Sequence, residues 1–261
     1  MNKIDRVSKT PAYRQISKAL MHEILEGRLR PGEMIPTEAE LCRVFGVNRS
    51  TVREGMRRLE ENGMLRRSGG KRLMISRPTE KEVGDQIART MVMHAITFRE
   101  IWEAMMAVEP NMARLAARIG LRPEIIPLLQ QNLDRTACAV VDGSPLADLD
   151  MEFHTLVAHS SANRALLLAY EPLRRLLFPT FKAVFSRVPL AGSRLLKAHR
   201  AILDALTAGD AAGAGLWMEK HIQDFRRGFR LAQLDLALPV TMQDEGAVTE
   251  TGLPQDWGYR G

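Results

Sequence analysis

Cysteine is nearly absent from this chain of 261 residues. The two that occur, Cys42 and Cys138, each sit inside an apolar helical pattern and neither belongs to a C-x-x-C spacing. That excludes a disulfide-stapled scaffold or a cysteine-based zinc knot and leaves two reduced thiols. No run of about 18 apolar residues is present, so no transmembrane helix is expected. The opening stretch MNKIDRVSKTPAYR is charged but lacks the apolar core of a secretory signal, and the expected location is the cytoplasm. Internal repeats and low-complexity tracts are missing as well, which excludes a repeat architecture.

What the chain does contain is a 45% hydrophobic fraction, enough to close one large or two modest cores. Its net charge of +6 is unevenly spread: residues 1–77 hold 17 Lys/Arg against 9 Asp/Glu, and the remainder holds 20 against 22. All the excess positive charge lies in the first third. A compact basic module joined to a near-neutral one fits a phosphate-binding head on a separate sensing or assembling body.

Residues 11–26, PAYRQISKALMHEILE, place Tyr13, Ile16, Leu20 and Ile24 at helical spacing ahead of Gly27. In TEAELCRVFG, Thr37 and Glu40 have the spacing of a capping box, which predicts a second short helix ending near Gly46. Asn48 then caps a third helix running to about Asn62. MLRR and RLMIS, joined by SGGK, read as a hairpin with a glycine turn. The polar segment SRPTEKEVGD contains proline and lacks apolar periodicity, so a linker is expected over 78–85. From Gln86 to Leu236 the sequence predicts six or seven helices, with breaks at RPE, DGSP, SAN, PLAGS and AGD. Residues 237–261 are polar, punctuated by Gly and Pro, and expected to be disordered. The fold class expected is mainly α: an N-terminal winged helix-turn-helix over 1–77 joined to an all-α bundle over 86–236.

In the third helix, Val52, Met56 and Leu59 form one stripe. Arg49, Arg53 and Arg57 form another about 100° away. The B-DNA major groove admits one helix, and a guanidinium at the helix start can pair in a bidentate way with guanine O6 and N7. Ser50 and Thr51 lie at the same end, where hydroxyls and backbone N–H groups suit phosphate oxygens. Gly69, Gly70, Lys71 and Arg72 at the hairpin tip can approach the DNA backbone. Helix, helix, turn, helix and wing together point to duplex DNA as the partner. Arg57 and Arg58 are read as solvated.

Residues 11–77 resemble the N-terminal domain of the GntR family of bacterial transcription regulators. The resemblance rests on PAYRQI, the G-x-L-x-P-G of Gly27 to Gly32, IPTEAEL and GVNRSTVREGMRRLEENG. It implies that Arg49, Ser50, Thr51 and Arg53 contact operator DNA, with Gly70 on the wing. Where many members carry an arginine two residues before the leucine of the second helix, this chain has Ala39.

In the second module Asp150 and His154 stand four apart in DLDMEFHTLV, on one helical face about 6 Å from each other. His199 and His221 fall in later helices. A carboxylate and three imidazoles would suit Zn, Ni, Mn or Fe, although each histidine alone reads more often as a satisfied core or surface residue. The module is similar to the FCD domain, the helical sensor of the FadR-like branch of the same family, through D-x-x-F-H, SAN, H-R-A-I-L-D-A-L-x-x-G-D and M-x-x-H. That resemblance implies Asp150, His154, His199 and His221 as ligands of a divalent metal ion. His22, His94 and His159 are read as structural.

Members commonly place an arginine four residues before the glutamate of an E-P pair to hold a carboxylate effector. Here Met105 stands there, and a methionine at helical spacing reads first as core filling. The function expected is that of a homodimeric, sequence-specific transcriptional regulator, a repressor released by a small metabolite, a carboxylate among the candidates, bound in a metal-containing cavity. It is not expected to be an enzyme. The competing reading is a metal-dependent hydrolase built on Asp150 and the histidines.

Overall fold

The computed structural model describes residues 10–70, 72–188 and 190–242. The chain divides into two compact units, residues 1–82 and 83–261.

In the first unit α1 (Ala12–Leu25), α2 (Glu38–Phe45) and α3 (Arg49–Glu61) are followed by β1 (Leu65–Ser68) and β2 (Arg72–Ile75). The capping box at Thr37 and Glu40 is formed, with Thr37 N–H donating to Glu40 Oε2 at 2.7 Å and Glu40 N–H donating to Thr37 Oγ1 at 3.3 Å. It starts α2 where the sequence predicts. Gly46, at φ +64°, ends α2 in the left-handed region that most side chains avoid. Asn48 then caps α3 by accepting the Thr51 N–H at 2.9 Å. The turn between α2 and α3 is therefore fixed by local chemistry alone.

Ile16, Leu20, Leu41, Val52, Met56 and Leu59 close over Leu65 and Ile75 in one apolar core. Gly55 lets α3 approach α1: a Cβ there would lie 3.0 Å from both Ile16 Cγ2 and the Tyr13 carbonyl oxygen. β1 and β2 pair antiparallel from Leu65 opposite Ile75 to Ser68 opposite Arg72. The fold is the winged helix-turn-helix the sequence predicts.

The second unit is a helical bundle of α4 (Glu80–Met93, whose first turn falls in the first unit), α5 (Phe98–Ile119), α6 (Ile125–Asp142), α7 (Ala147–Ser160), α8 (Arg164–Arg187), α9 (Ala191–Thr207) and α10 (Ala211–Leu231). Helix α7 is central, with ten of its fourteen residues buried. Phe153, Leu156 and Val157 enter a core shared with α5, α6, α9 and α10. Met151 and Ala158 enter a second core with α5 and α8. Asp148, Glu152, Thr155 and His159 form its one partly exposed polar stripe, whereas Asp150 and His154 lie off that stripe and are buried, which makes them conspicuous.

Two expectations need correction. Helix α4 begins inside the segment read as a linker over 78–85. Thr79 and Glu82 form a capping box there: Thr79 N–H donates to Glu82 Oε2 at 2.7 Å and Glu82 N–H donates to Thr79 Oγ1 at 3.2 Å. Local hydrogen bonding thus starts the helix ahead of its first apolar residues. The second correction concerns the tail. Val240 is 1% exposed, its N–H donates to the Ile96 carbonyl at 2.8 Å, and the Phe98 N–H donates to the Leu238 carbonyl at 3.2 Å. Residues 237–242 therefore return across the start of α5 and complete its apolar packing. The rest of the expected tail, 243–261, lies outside the described residues.

Candidate functional site

On the first unit, the start of α3 presents Arg49 and Ser50 to solvent, with Thr51 half-buried beside them. Both hydroxyls are engaged: Ser50 Oγ and Thr51 Oγ1 each donate to Asn48 Oδ1 at 2.8 Å. As donors to a phosphate they would have to leave the N-cap residue, so in this state they brace the helix start. Arg53 is exposed, and its Nε donates to both carboxylate oxygens of Glu38 on α2 at 2.9 Å. Arg49 and Arg53 share one face, a turn apart.

Arg57 is exposed, as expected, and also bridges Glu54 and Glu61 along its own helix. Arg58 lies 5.6 Å from the Tyr13 ring centre. Gly69 (φ +50°) and Gly70 (φ +148°) form the wing turn, and nothing lies within 4 Å of a Cβ placed on either. Lys71 is outside the described residues, and Ala39 is exposed on α2.

In the second unit the four residues singled out as ligands come together. Asp150 and His154 project from α7, His199 from α9 and His221 from α10, and one donor atom of each lies within 4.8 Å of every other. His154 Nε2 stands 2.9 Å from His221 Nε2. Asp150 Oδ1 is 3.3 Å from His199 Nε2 and 3.6 Å from both His154 Nε2 and His221 Nε2. Asp150 is 1% exposed, His154 5% and His199 0%. Phe153 holds the His199 ring by stacking at 3.8 Å between ring centres, nearly parallel. Among the described residues, His22, His94 and His159 take no part in the cluster.

The electrostatics of this cluster are those of a site built around positive charge. Burial alone would pull the His154 imidazolium down, but the carboxylates of Glu109 and Asp150 outweigh it and push His154 up to about 10. Burial dominates at His199, which is driven down to about 3 against the pull of Asp150. Burial would raise Asp150, yet the charge on His154 and the surrounding imidazoles hold its carboxyl well below the usual range.

Asp150 Oδ1 and both ring nitrogens of His199 are nevertheless buried without a hydrogen-bond partner. The 3.3–3.6 Å separations are long for hydrogen bonds. They match the roughly 3–3.5 Å between ligand atoms that share a Zn-type ion at about 2.1 Å. The donor set of three imidazoles and one carboxylate, its spacing and its orphaned lone pairs all fit a divalent transition metal.

Glu109, four residues beyond Met105 on α5, is a buried partner of the cluster that the sequence reading did not single out. It is 2% exposed, and its Oε2 meets His154 Nδ1. A carboxylate at Nδ1 fixes the proton there and turns the Nε2 lone pair toward the cluster, the usual outer support of a ligating histidine. The only signal in the sequence is an acid on the otherwise apolar face formed by Met105, Met112 and Ala113. Met105 itself is core, 3% exposed, packed with Ile101, Met112 and Met151. It does not line the cavity.

That cavity, about 20 Å³, lies beside Asp150 and His221. Its apolar wall comes from Val184, Phe185, Ala191, Leu195 and Phe225, and its polar members are Arg194 and Asp224.

The chain matches two families: "Bacterial regulatory proteins, gntR family" over residues 12–75 and "FCD domain" over residues 100–224. It is 28% identical over 228 residues to the HTH-type transcriptional regulator YcbG of Bacillus subtilis, covering 86% of this chain and 92% of the relative. It is 24% identical over 225 residues to the HTH-type transcriptional repressor NanR of Cronobacter sakazakii, covering 83% and 86%. A solved GntR structure from Streptococcus agalactiae superposes with a TM-score of 0.57 at 27% identity, over 82% of this chain and 99% of that one. These relatives are regulators rather than enzymes, and no helix among the described residues is long and apolar enough to cross a membrane. The winged head and the helical body each find their counterpart, and the chain belongs to the GntR family, as a DNA-binding transcriptional regulator whose body is an FCD ligand-binding domain.

Proposed function

We propose that this regulator is a metal-loaded homodimer acting in the cytoplasm, a repressor released from its operator by a small metabolite, a carboxylate by the charge of the site. Arg49 and Arg53 read base edges in the major groove, Ser50 and Thr51 anchor phosphates, and Gly70 brings the wing to the backbone. Two such heads meet two half-sites of a symmetric operator. Asp150, His154, His199 and His221 would hold a divalent ion, which would supply Lewis acidity toward an oxygen of the effector. Because coupling between sites is reciprocal, effector and operator alter each other's affinity by the same factor.

The observation that carries this reading is the convergence of one carboxylate oxygen and three imidazole nitrogens from three helices within 4.8 Å, in the body of a chain whose head is a DNA-binding module. The test has two arms. Metal analysis of the purified protein should find about one divalent ion per chain, lost when His199 and His221 are both replaced by Ala; full occupancy in that variant removes them as ligands. A genome-wide binding selection should return a symmetric sequence, and absence of any sequence preference would end the operator reading.

A further inference from the structure

Helix α10 carries a run of cations that neither the metal cluster nor the DNA-reading head uses. Lys220, Arg226, Arg227 and Arg230 are all exposed. Lys220, Arg227 and Arg230 stand at i, i+7 and i+10, so they share one side of the helix over about 15 Å. Arg226 flanks them at the seam with α5, its guanidinium 4.6 Å from the centre of the Trp102 ring. A solvated helix face usually interleaves acids with bases. This one does not. Elsewhere in the bundle Arg135 pairs with Glu152, Arg174 with Glu171 and Arg194 with Asp224, whereas among the described residues no carboxylate pairs with any of these four cations. The acids of α10 itself are already engaged: Glu219 accepts from Gln223 at 3.2 Å and Asp224 from Arg194 at 2.7 Å. Arg99, one turn before Trp102 on α5, is exposed as well.

After α10 the chain returns along the start of α5. The Arg99 N–H donates to the Leu236 carbonyl at 2.9 Å and the Val240 N–H to the Ile96 carbonyl at 2.8 Å, which fixes the chain close to Arg99 just before Met242. The sequence that follows, QDEGAVTETGLPQDWGYRG over 243–261, lies outside the described residues and sets four acids, Asp244, Glu245, Glu250 and Asp256, against the single base Arg260. A stretch of that length reaches up to about 60 Å, several times the length of the cation run. We infer that the acidic segment 243–261 docks on the outer face of α10, with its carboxylates against Lys220, Arg226, Arg227 and Arg230. Tethering favours this occupant over a free polyanion, because it holds the acids at an effective concentration of about a millimolar. The docking also gives the segment a task. A bare cation run on a DNA-binding protein attracts phosphates of any sequence, and acids of the same chain that occupy it leave duplex binding to the head. The metal ion has no part in this contact.

The test is cleavage of the full chain after Glu245 and Glu250 by a glutamate-specific protease, followed by mass spectrometry. Rates are normalised to a free peptide of residues 241–261 in the same buffer, which removes the effect of salt on the protease. At low salt the segment in the wild type should be cut about three- to tenfold more slowly than the peptide. At about 1 M salt, where charges are screened within about 3 Å, it should be cut at the peptide's rate. The triple variant Arg226→Gln, Arg227→Gln, Arg230→Gln should keep the wild-type circular dichroism and be cut at the peptide's rate at either salt. Equal rates for wild type and variant overturn the assignment, as does protection that survives 1 M salt. Should the triple variant fail to fold, Asp244→Asn with Asp256→Asn weakens the same contact from the other side and should speed cleavage at both glutamates; no change overturns the proposal. If the triple variant instead binds random duplex more weakly while its cleavage matches the wild type, the cation run is a DNA contact and the segment is not its occupant.

Discussion

Replacing Glu109 separates a metal centre from a buried ionic knot. Glu109 is 2% exposed and sits against His154 Nδ1, so its carboxylate decides which ring nitrogen carries the proton. Loss of the outer partner of a ligating histidine costs about 10- to 100-fold in metal affinity, about 1.4–2.8 kcal/mol. Glu109→Gln preserves the volume and a carbonyl acceptor but removes the charge, and should fall near the lower figure. Glu109→Leu leaves the Nδ1–H buried without an acceptor and should fall near the upper one. It should also lose about 1–3 kcal/mol of stability in the metal-free protein. The assay is competition for Zn against a chromophoric chelator at neutral pH, paired with urea unfolding in excess chelator. If both variants lose stability yet hold Zn as tightly as the wild type, Glu109 is a packing residue and the tautomer argument is wrong.

Other outcomes follow from the same geometry. In chelator, the raised His154 stabilises the fold below about pH 6.5, and that contribution is lost as pH rises toward about 10. The depressed His199 makes stability fall as pH drops from about 6.5 toward 3. Unfolding free energy should therefore peak near pH 6.5 with limbs of up to about 1.4 kcal/mol per pH unit per proton. Zn should flatten the alkaline limb, because the ion takes the place of the His154 proton; a flat profile in chelator would refute the assignment. Arg49→Ala should cost about 1–3 kcal/mol on the selected operator and much less on random duplex in a fluorescence anisotropy titration, and uniform weakening would make Arg49 a phosphate contact only. Val240→Ala should destabilise the sensor unit by about 1–3 kcal/mol in urea unfolding, whereas no change would mean that the returning segment contributes nothing.

The head was legible in the sequence because its signals are local. Thr37 with Glu40, Gly46 and Asn48 act within one turn of the residues they cap, and the Val52, Met56, Leu59 stripe names its buried face. The same capping logic at Thr79 and Glu82 was overshadowed by the proline and the polar run around it, so a helix start was read as a linker. Asp150 and His154 could be paired from spacing alone. Bringing His199 and His221 to them required the packing of α9 and α10 on α7, which no local pattern encodes, and the family resemblance supplied it. Glu109 is 45 residues from His154, and Arg194 is 30 residues from Asp224. Both gain their meaning only when the helices are assembled. The tail was misread because the partners of Leu238 and Val240, at Ile96 and Phe98, lie more than a hundred positions earlier.

With Arg53 reading DNA as proposed, its ion pair with Glu38 makes that face self-competing. A duplex that recruits this guanidinium takes it from an acid already holding it, so the net gain is the difference between two acceptors. Random phosphates, which offer little more than Glu38 does, would be poor substitutes, while a guanine edge that engages the whole fork would be a better one. Removing Glu38 should then strengthen attachment to any duplex and blunt the contrast between the correct address and the surrounding genome.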